Sequence, residues 1–487
     1  NIVNRHEALR TIIQPKDDLA VQKILPEDSF SLRLVDVQKL TEKQIMTQLN
    51  KEAKWPFDLT QGPLFRITLY RISTTDHILF VNMHHIISDG WSVGIFIKEL
   101  FEFYALFQSG NISSMDELTV QYADFSDWQR QWLTGDILDQ QIDYWSQQLK
   151  TSQNLNLLTD FARPEKTSYR GAKVSFTVPK TITDSLNTIA LKEDCTLFMV
   201  VLAAFKVLLY RTTDQTDICV GSPIAGRNHG ELEDLIGFFV NTQALRTDLS
   251  NDPTFSELLK RVKETALSAY ANQDIPFEKI VEVLKPQRHL SMTPFFQVML
   301  VFQNIALPDM SLNNLQLEGI EIDSGASKFD LTLSIAPTDS GFFGQIVYRK
   351  DLYKNESIEQ LSQHFVTLLK SIAINRHVNI STLRLMPPKE RKRLINEFNQ
   401  TNMSFAGRPS LQRRFEEQVD KTPDAIAVVF EEDEMSYHEL NKLSNEIANY
   451  LIKEGAVKNT LIGLCMNRSV EMIVGLLSIL KSGAGYV

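Results

Sequence analysis

Between Pro63 and Gly90 the apolar positions change period twice. Phe65, Ile67 and Leu69 alternate with Arg66, Thr68 and Tyr70, the two-residue repeat of a half-buried strand. Ser73–Asp76 is a polar turn, and Ile78–Met83 then runs on as an apolar segment. Together they predict a hairpin whose second strand is buried on both faces. Past Gly90, apolar residues return at Val93, Phe96, Ile97, Leu100, Phe101, Tyr104 and Phe107, the spacing of an amphipathic helix. Two histidines and an aspartate, in His84-His85-Ile86-Ile87-Ser88-Asp89-Gly90, therefore fall at a strand-to-helix crossover.

The same mixed texture continues downstream without a sequence repeat. A helical tract over Thr183–Arg211 leads through Thr212–Thr216 into a short strand at Ile218–Gly221. Further strands are predicted at Phe295–Phe302, Leu331–Ile335 and Phe343–Tyr348, and a helix at Ser357–Ile374. Around Met386–Pro409 the pattern dissolves into Pro387-Pro388, a basic cluster (Lys389, Arg391, Lys392, Arg393) and turn residues, which places an interdomain linker at 396–409. Helix and strand patterns resume over Ser410–Val487. The opening Asn-Ile-Val-Asn, without an initiator Met or apolar leader, and the closing glycine turn Gly483–Val487 lead us to expect a piece of something longer.

Composition narrows the function classes. The chain has 487 residues, 50 Lys and Arg against 60 Asp and Glu, and a net charge of −10, which argues against nucleic-acid and anionic-membrane partners. Hydrophobic residues make up 43% and charged residues 23%, a globular mixture sufficient for two to four folding units at roughly 150 residues each. Cys195, Cys219 and Cys465 are far apart and lack CxxC spacing, so a disulfide framework is not expected and a reducing cytoplasm fits. The apolar runs Leu197–Phe205 and Met472–Leu480 stop at Lys206 and Lys481, too short to span a bilayer.

The candidate chemistry lies in His84–Gly90. A neutral imidazole accepts a proton near pH 7, and a strand end followed by a tight turn holds it rigidly toward a cleft. Adjacent strand residues point to opposite faces, so one histidine packs while the other faces the open side, and His85 is the better candidate for the open side. Asp89 is suited either to cap the helix or to pair with a buried arginine, and Gly90 to let the backbone turn. Spacing alone also permits a purely structural His-His pair. A metal site is not expected, because no nearby Cys, His or Glu completes a ligand shell. GxSxG, P-loop and GxGxxG signatures are missing, which leaves serine-nucleophile and phosphate-cradle readings without support.

Met83–Val93 resembles the HHxxxDG signature of nonribosomal peptide synthetase condensation domains, which occurs more widely among chloramphenicol-acetyltransferase-like acyltransferases. Five further segments resemble condensation-domain motifs in family order: Arg5–Thr11, Tyr122–Gln129, Ile236–Thr242, Asn272–Glu278 and Arg288–Pro294. The family's first motif, expected upstream of Arg5, is missing. The C-terminal segments Thr422–Val428, Met435–Leu440 and Leu480–Val487 resemble the opening of an adenylation domain, whose phosphate-binding loop and specificity pocket would lie further on.

The resemblance implies a mixed α/β (α+β) fold of two chloramphenicol-acetyltransferase-like lobes in a V-shaped pseudodimer, residues 1–165 and 166–395. An incomplete adenylation-domain fragment, 410–487, follows the linker. It implies an amide-forming acyltransferase that joins an upstream carrier-bound aminoacyl or peptidyl thioester to the amine of a downstream carrier-bound aminoacyl thioester. Its donor is L-configured by likeness of motif. No cofactor is bound directly, since the phosphopantetheine arms are supplied by the two carrier domains; the other implied partner is the remainder of the adenylation domain in the same polypeptide.

By position in the motif, His85, His84, Asp89 and Gly90 are the catalytic candidates, with Asp89 expected to pair with Arg227. Trp91, Ser92 and Asn241 are candidates for the substrate tunnel. Arg5, His6, Glu7 and Arg10 read as a structural ion-pair surface, and Tyr122–Gln129 as packing between lobes. Two rival readings are a stand-alone coenzyme A-dependent acyltransferase and a non-catalytic module that docks or gates carriers.

Overall fold

In a computed structural model the described residues are all except 18, 28–29, 111–114, 287–290, 304–314, 316, 321, 323–324 and 404–409. The motif residues Arg288, His289 and Leu290, and the last part of the expected linker, lie outside them. The chain divides into two compact units, Asn1–Arg391 and Lys392–Val487.

The first unit holds two main sheets. Its N-terminal part opens with a short helix α1 (Ile2–Arg5) and an antiparallel hairpin, β1 (Thr11–Lys16) and β2 (Leu19–Ile24). A three-stranded sheet of order β3-β4-β5 follows, built from β3 (Arg33–Asp36), β4 (Phe65–Arg71) and β5 (His77–Met83). Helix α2 (Glu42–Ala53) lies between β3 and β4, started by a Thr41/Gln44 capping box. Strands β4 and β5 form the predicted hairpin, pairing Phe65 with Met83 through Arg71 with His77. Contrary to expectation, β5 is not buried on both faces. It is the edge strand of a small sheet, so that Phe80 is buried while Leu79 stays 40% exposed.

Helix α3 (Gly90–Gln108) leaves β5 through a single 3₁₀ turn at His85–Ile87. Its buried stripe is Ser92, Ile95, Phe96, Glu99 and Phe103, rotated from the predicted one, with Val93, Tyr104 and Phe107 exposed. The shift arises because two polar residues, Ser92 and Glu99, occupy the inward face. Helices α4 (Tyr122–Trp132) and α5 (Gly135–Leu149) complete this part.

The C-terminal part of the unit is a six-stranded mixed sheet of order β6-β11-β10-β9-β7-β8. Its strands are β6 (Gly171–Pro179), β7 (Asp217–Ile224), β8 (Asn241–Asp248), β9 (Val298–Phe302), β10 (Leu331–Thr338) and β11 (Gly341–Arg349). The long helical tract predicted over 183–211 is two helices, α6 (Lys180–Lys192) and α7 (Leu197–Thr213). Asp194, at φ +49°, and the Thr196 cap on α7 separate them. Every residue from Met199 to Leu209 is buried, including Lys206. Helices α8 (Phe255–Tyr270), α9 (Phe277–Leu284) and α10 (Asn355–Ile374) complete the layer, and a short α11 (Pro388–Lys392) lies at the boundary of the unit. A single core of more than fifty buried residues runs through these elements.

The second unit packs α12 (Leu411–Lys421), α13 (Tyr437–Lys453) and α14 (Val470–Lys481) with a hairpin, β12 (Ile426–Phe430) and β13 (Asp433–Ser436). A parallel pair, β14 (Leu461–Ile462) and β15 (Gly485–Tyr486), completes it. Lys481, the charge that stops the last apolar run, donates to Asn445 Oδ1 at 2.7 Å and lies over the Phe415 ring. Among the described residues, no single helix is long and apolar enough to cross a membrane, and no group of three or more His, Cys, Asp or Glu side chains could hold a metal ion.

Candidate active site

His84 closes β5 and caps the 3₁₀ turn, its Nδ1 accepting the Ile86 N–H at 3.0 Å. With Nδ1 occupied as an acceptor, the neutral ring carries its proton on Nε2. Burial, reinforced by the neighbouring His85 and Lys328, lowers the His84 pKa and keeps the ring neutral near pH 7. Phe57 stands edge-on to it at 5.7 Å, itself covered by the Arg66 guanidinium. His84 is thus the histidine that packs.

His85 faces the other way and is exposed. Among the described residues neither of its ring nitrogens has a hydrogen-bond partner, and its one ring contact is Phe238, edge-on at 5.2 Å. An imidazole held by packing with both nitrogens open can accept a proton or donate to an incoming group.

Asp89 caps α3, and its carboxylate is 3% exposed. Oδ1 accepts from the Ser92 N–H at 2.8 Å and Oδ2 from the Phe239 N–H at 3.0 Å. Arg227 Nη2 sits 3.4 Å from Oδ1, and the arginine side chain is 1% exposed. The guanidinium stacks on Phe239 at 4.0 Å, and its Nη1 donates to the carbonyl oxygens of Leu232 and Leu235. Gly226, at φ +65°, brings the chain so close to the Phe239 carbonyl that a Cβ would lie 2.1 Å from the oxygen; only glycine fits there.

The other tunnel candidates divide. Trp91 is 36% exposed, with its indole N–H donating to Glu233 O at 2.9 Å. Ser92 is corrected: it is completely buried, bonded to Asp89, Arg227 and both backbone groups of Gly237, and lines no tunnel. Asn241 is also structural here, donating to Gln273 O and Ile275 O and accepting from the Thr242 and Phe277 N–H groups, so its amide is fully used. Gly90 does not make the expected sharp turn; it opens α3 with nothing within 4 Å of where a Cβ would stand.

Sequence reasoning missed two contributors. One is Phe238, the only described ring against His85; the doubled aromatic Phe238-Phe239 was the available signal, since alternate residues of an extended segment face opposite ways. The other is Glu99, ten residues along α3 from Asp89, where it accepts from Arg5 Nε and meets His6 Nε2, both at 2.9 Å. His6 Nδ1 accepts the Ile236 N–H, which leaves Nε2 to carry the proton toward Glu99. Burial works to raise the Glu99 pKa, but the hydrogen bonds from His6 and Arg5 hold it below the ordinary value. Tyr122, from the Tyr122–Gln129 motif, donates to Phe238 O at 2.9 Å.

A family model described as the condensation domain matches residues 1–395. The chain belongs to the condensation-domain family. Behind the condensation domain, residues 415–487 match the model of the AMP-binding enzymes. A linear gramicidin synthase polypeptide of Brevibacillus parabrevis is 42% identical over 493 residues, covering 100% of this chain, which spans 10% of that relative's length. Malpinin synthetase of Mortierella alpina is 40% identical over 489 residues, again covering 100% of this chain, which spans 6% of it. Among solved structures, the X-domain from teicoplanin biosynthesis is 28% identical with a TM-score of 0.69, covering 78% of this chain and 87% of its own. A four-domain nonribosomal peptide synthetase bound to AMP and glycine covers 100% of this chain and 38% of its own at a TM-score of 0.78; at 23% identity it supports the fold alone. These likenesses agree with the mixed α/β fold expected from the motifs of the condensation domain.

Proposed function

We propose that this condensation domain forms a peptide bond between two carrier-bound thioesters within a multimodular peptide synthetase. The observation that carries the reading is His85, exposed on the strand-to-helix turn with both ring nitrogens unpartnered among the described residues, beside a motif whose other polar members are consumed in holding the turn. The downstream amine attacks the upstream thioester carbonyl, the carbon–sulfur bond breaks, and the proton lost from nitrogen is made up on the departing thiolate. His85 meets the amine and orients it or takes its proton. A thioester is already activated, so holding both reactants in one place supplies much of the rate.

Gly90 leaves open space for a phosphopantetheine arm to pass the start of α3. The upstream and downstream carrier domains are the proposed partners, with the remainder of the adenylation domain following in the same cytoplasmic polypeptide. The two lobes are proposed at 1–165 and 166–395, each containing one of the main sheets. The motif likeness supports an L-configured donor.

Intact-protein mass spectrometry of two loaded carriers mixed with this chain tests the reading. Transfer of an L-configured donor onto the acceptor is expected, with loss in His85→Ala while its melt stays cooperative. Unchanged turnover in that variant would remove His85 from the chemistry, and no transfer from a cooperatively melting wild type would favour a gating module.

A further inference from the structure

The stretch Ile236–Phe239 belongs to no helix or strand, and side chains from distant elements bond its main chain instead. Ser92 Oγ bonds both the N–H and the carbonyl of Gly237, Asp89 Oδ2 accepts the Phe239 N–H, and the Tyr122 hydroxyl donates to Phe238 O. The first of these ties is His6, whose Nδ1 accepts the Ile236 N–H at 3.3 Å from 230 positions away. The stretch they hold carries Phe238 onto the ring of His85.

His6 is 1% exposed and is held from both ends. The Gln121 amide clamps the main chain on either side of it, donating to Arg5 O at 2.9 Å and accepting the Glu7 N–H at 3.2 Å. Across the ring, Nε2 meets Glu99 at 2.9 Å, and Glu99 is held in turn by Arg5. With its pKa lowered, Glu99 is ionised near pH 7 and can only accept, so it draws the ring proton to Nε2 and leaves a lone pair on Nδ1. An ion pair alone has no use for that second nitrogen. Ile236 is buried, and without Nδ1 its N–H would lose its acceptor, a cost the stretch escapes only by moving.

We propose that His6 is a positioning residue for peptide-bond formation: held in one tautomer by Glu99, it fixes Ile236 and, two residues on, the ring of Phe238 that aims His85. The inference rests on the condensation reading. It gives the buried His6–Glu99 pair a part in the reaction, where the sequence suggested only a structural ion-pair surface.

Two substitutions separate the two nitrogens of His6. His6→Asn sets an amide oxygen where Nδ1 stands, keeping an acceptor for Ile236 while no longer reaching Glu99. His6→Gln sets an amide N–H where Nε2 stands, keeping Glu99 while offering Ile236 nothing. In transfer between two loaded carriers, His6→Gln is expected to lower kcat about tenfold at unchanged KM, and His6→Asn to stay within about threefold of wild type although it melts lower. Equal losses in the two variants, or rates that simply follow the melting points, overturn the proposal. NMR of the full chain labelled at its histidine rings needs no turnover. The His85 signal, identified by its loss in His85→Ala, should move in His6→Gln and keep its place in His6→Asn. The ring-nitrogen shifts of wild-type His6 should put the proton on Nε2; a proton on Nδ1 overturns the proposal whether or not either variant folds. A His85 signal that moves in His6→Gln alone, with no transfer by wild type, would sink the condensation activity and leave the positioning role. Transfer by wild type with an unmoved His85 signal in His6→Gln would sink the positioning role alone.

Discussion

The ring of Phe238 stands edge-on to the ring of His85, their centroids 5.2 Å apart and their planes at 84°. Phe238 is itself fixed through its carbonyl, which accepts from the Tyr122 hydroxyl. An imidazole without hydrogen-bond partners among the described residues is thus aimed by one hydrophobic contact. Phe238→Ala is expected to lower peptide-bond formation by roughly tenfold to a hundredfold, the effect of misplacing a reacting group. Because Phe238 is 40% exposed, the melt should hardly move. Phe238→Tyr, which keeps the ring edge, should restore most of the rate; a variant that instead lost rate and stability together would mark Phe238 as merely structural.

Asp89 and Arg227 are both almost fully buried, so neither can be removed alone without stranding the other. Asp89→Ala and Arg227→Ala should each destabilise by roughly 3–5 kcal/mol, read as a shift in urea midpoint at unchanged slope. The double substitution should cost clearly less than the sum of the two. Additive losses would show that the pair does not act as a unit.

Gly90 and Gly226 should part company. Gly226→Ala meets both a positive φ and the Phe239 carbonyl, and should unfold more easily while loosening Arg227. Gly90→Ala meets nothing in the fold and should be as stable as wild type, or up to about 1 kcal/mol more so, since alanine suits a helix better. Its expected defect is in transfer between carriers alone. A Gly90→Ala protein of full activity would show that no arm passes there.

The lowered pKa of Glu99 contributes to the acid limb of stability. A carboxylate whose folded pKa lies below its unfolded one contributes stability in full above the unfolded value, about 4.3, and loses it as pH falls through the folded value. Urea midpoints between pH 3 and 7 should therefore fall more steeply for wild type than for Glu99→Gln. Parallel curves would remove Glu99 from the acid response.

Lys206 gives a slope of the same sign in a different window, at the alkaline side. Burial lowers its pKa to about 7, while its amine donates to Leu245 O and Thr247 Oγ1. Between pH 7 and the unfolded value of about 10.4 the unfolded chain binds more protons, so this group makes stability rise with pH over that window. Lys206→Met should flatten the rise; an unchanged slope would assign it to other groups.

The hairpin and the crossover were legible because each is local, whereas the arginine beside Asp89 was expected only from the resemblance of the motifs. What escaped was set by tertiary partners. The inward stripe of α3 includes Ser92 and Glu99, and no hydrophobic periodicity marks a buried polar residue whose partners lie more than ninety positions away. The edge position of β5 depends on how many strands the sheet contains, which a single apolar run does not encode. Ser92 and Asn241 had the polarity of tunnel residues, but their capacity is spent inside the fold, a matter of satisfaction rather than of residue type.

Arg227 holds the stretch from Leu232 to Leu235 by two main-chain oxygens, and Trp91 holds it by a third, that of Glu233. Contacts to carbonyls are indifferent to what the side chains are. Glu233 and Asp234, exposed between the buried Leu232 and Leu235, can therefore be recoded, as long as the segment keeps its length, its two leucines and Gly237, where a Cβ would strike the Tyr122 ring. The seam for such recoding lies in the backbone path of this loop, and the histidine motif beside it need not be touched.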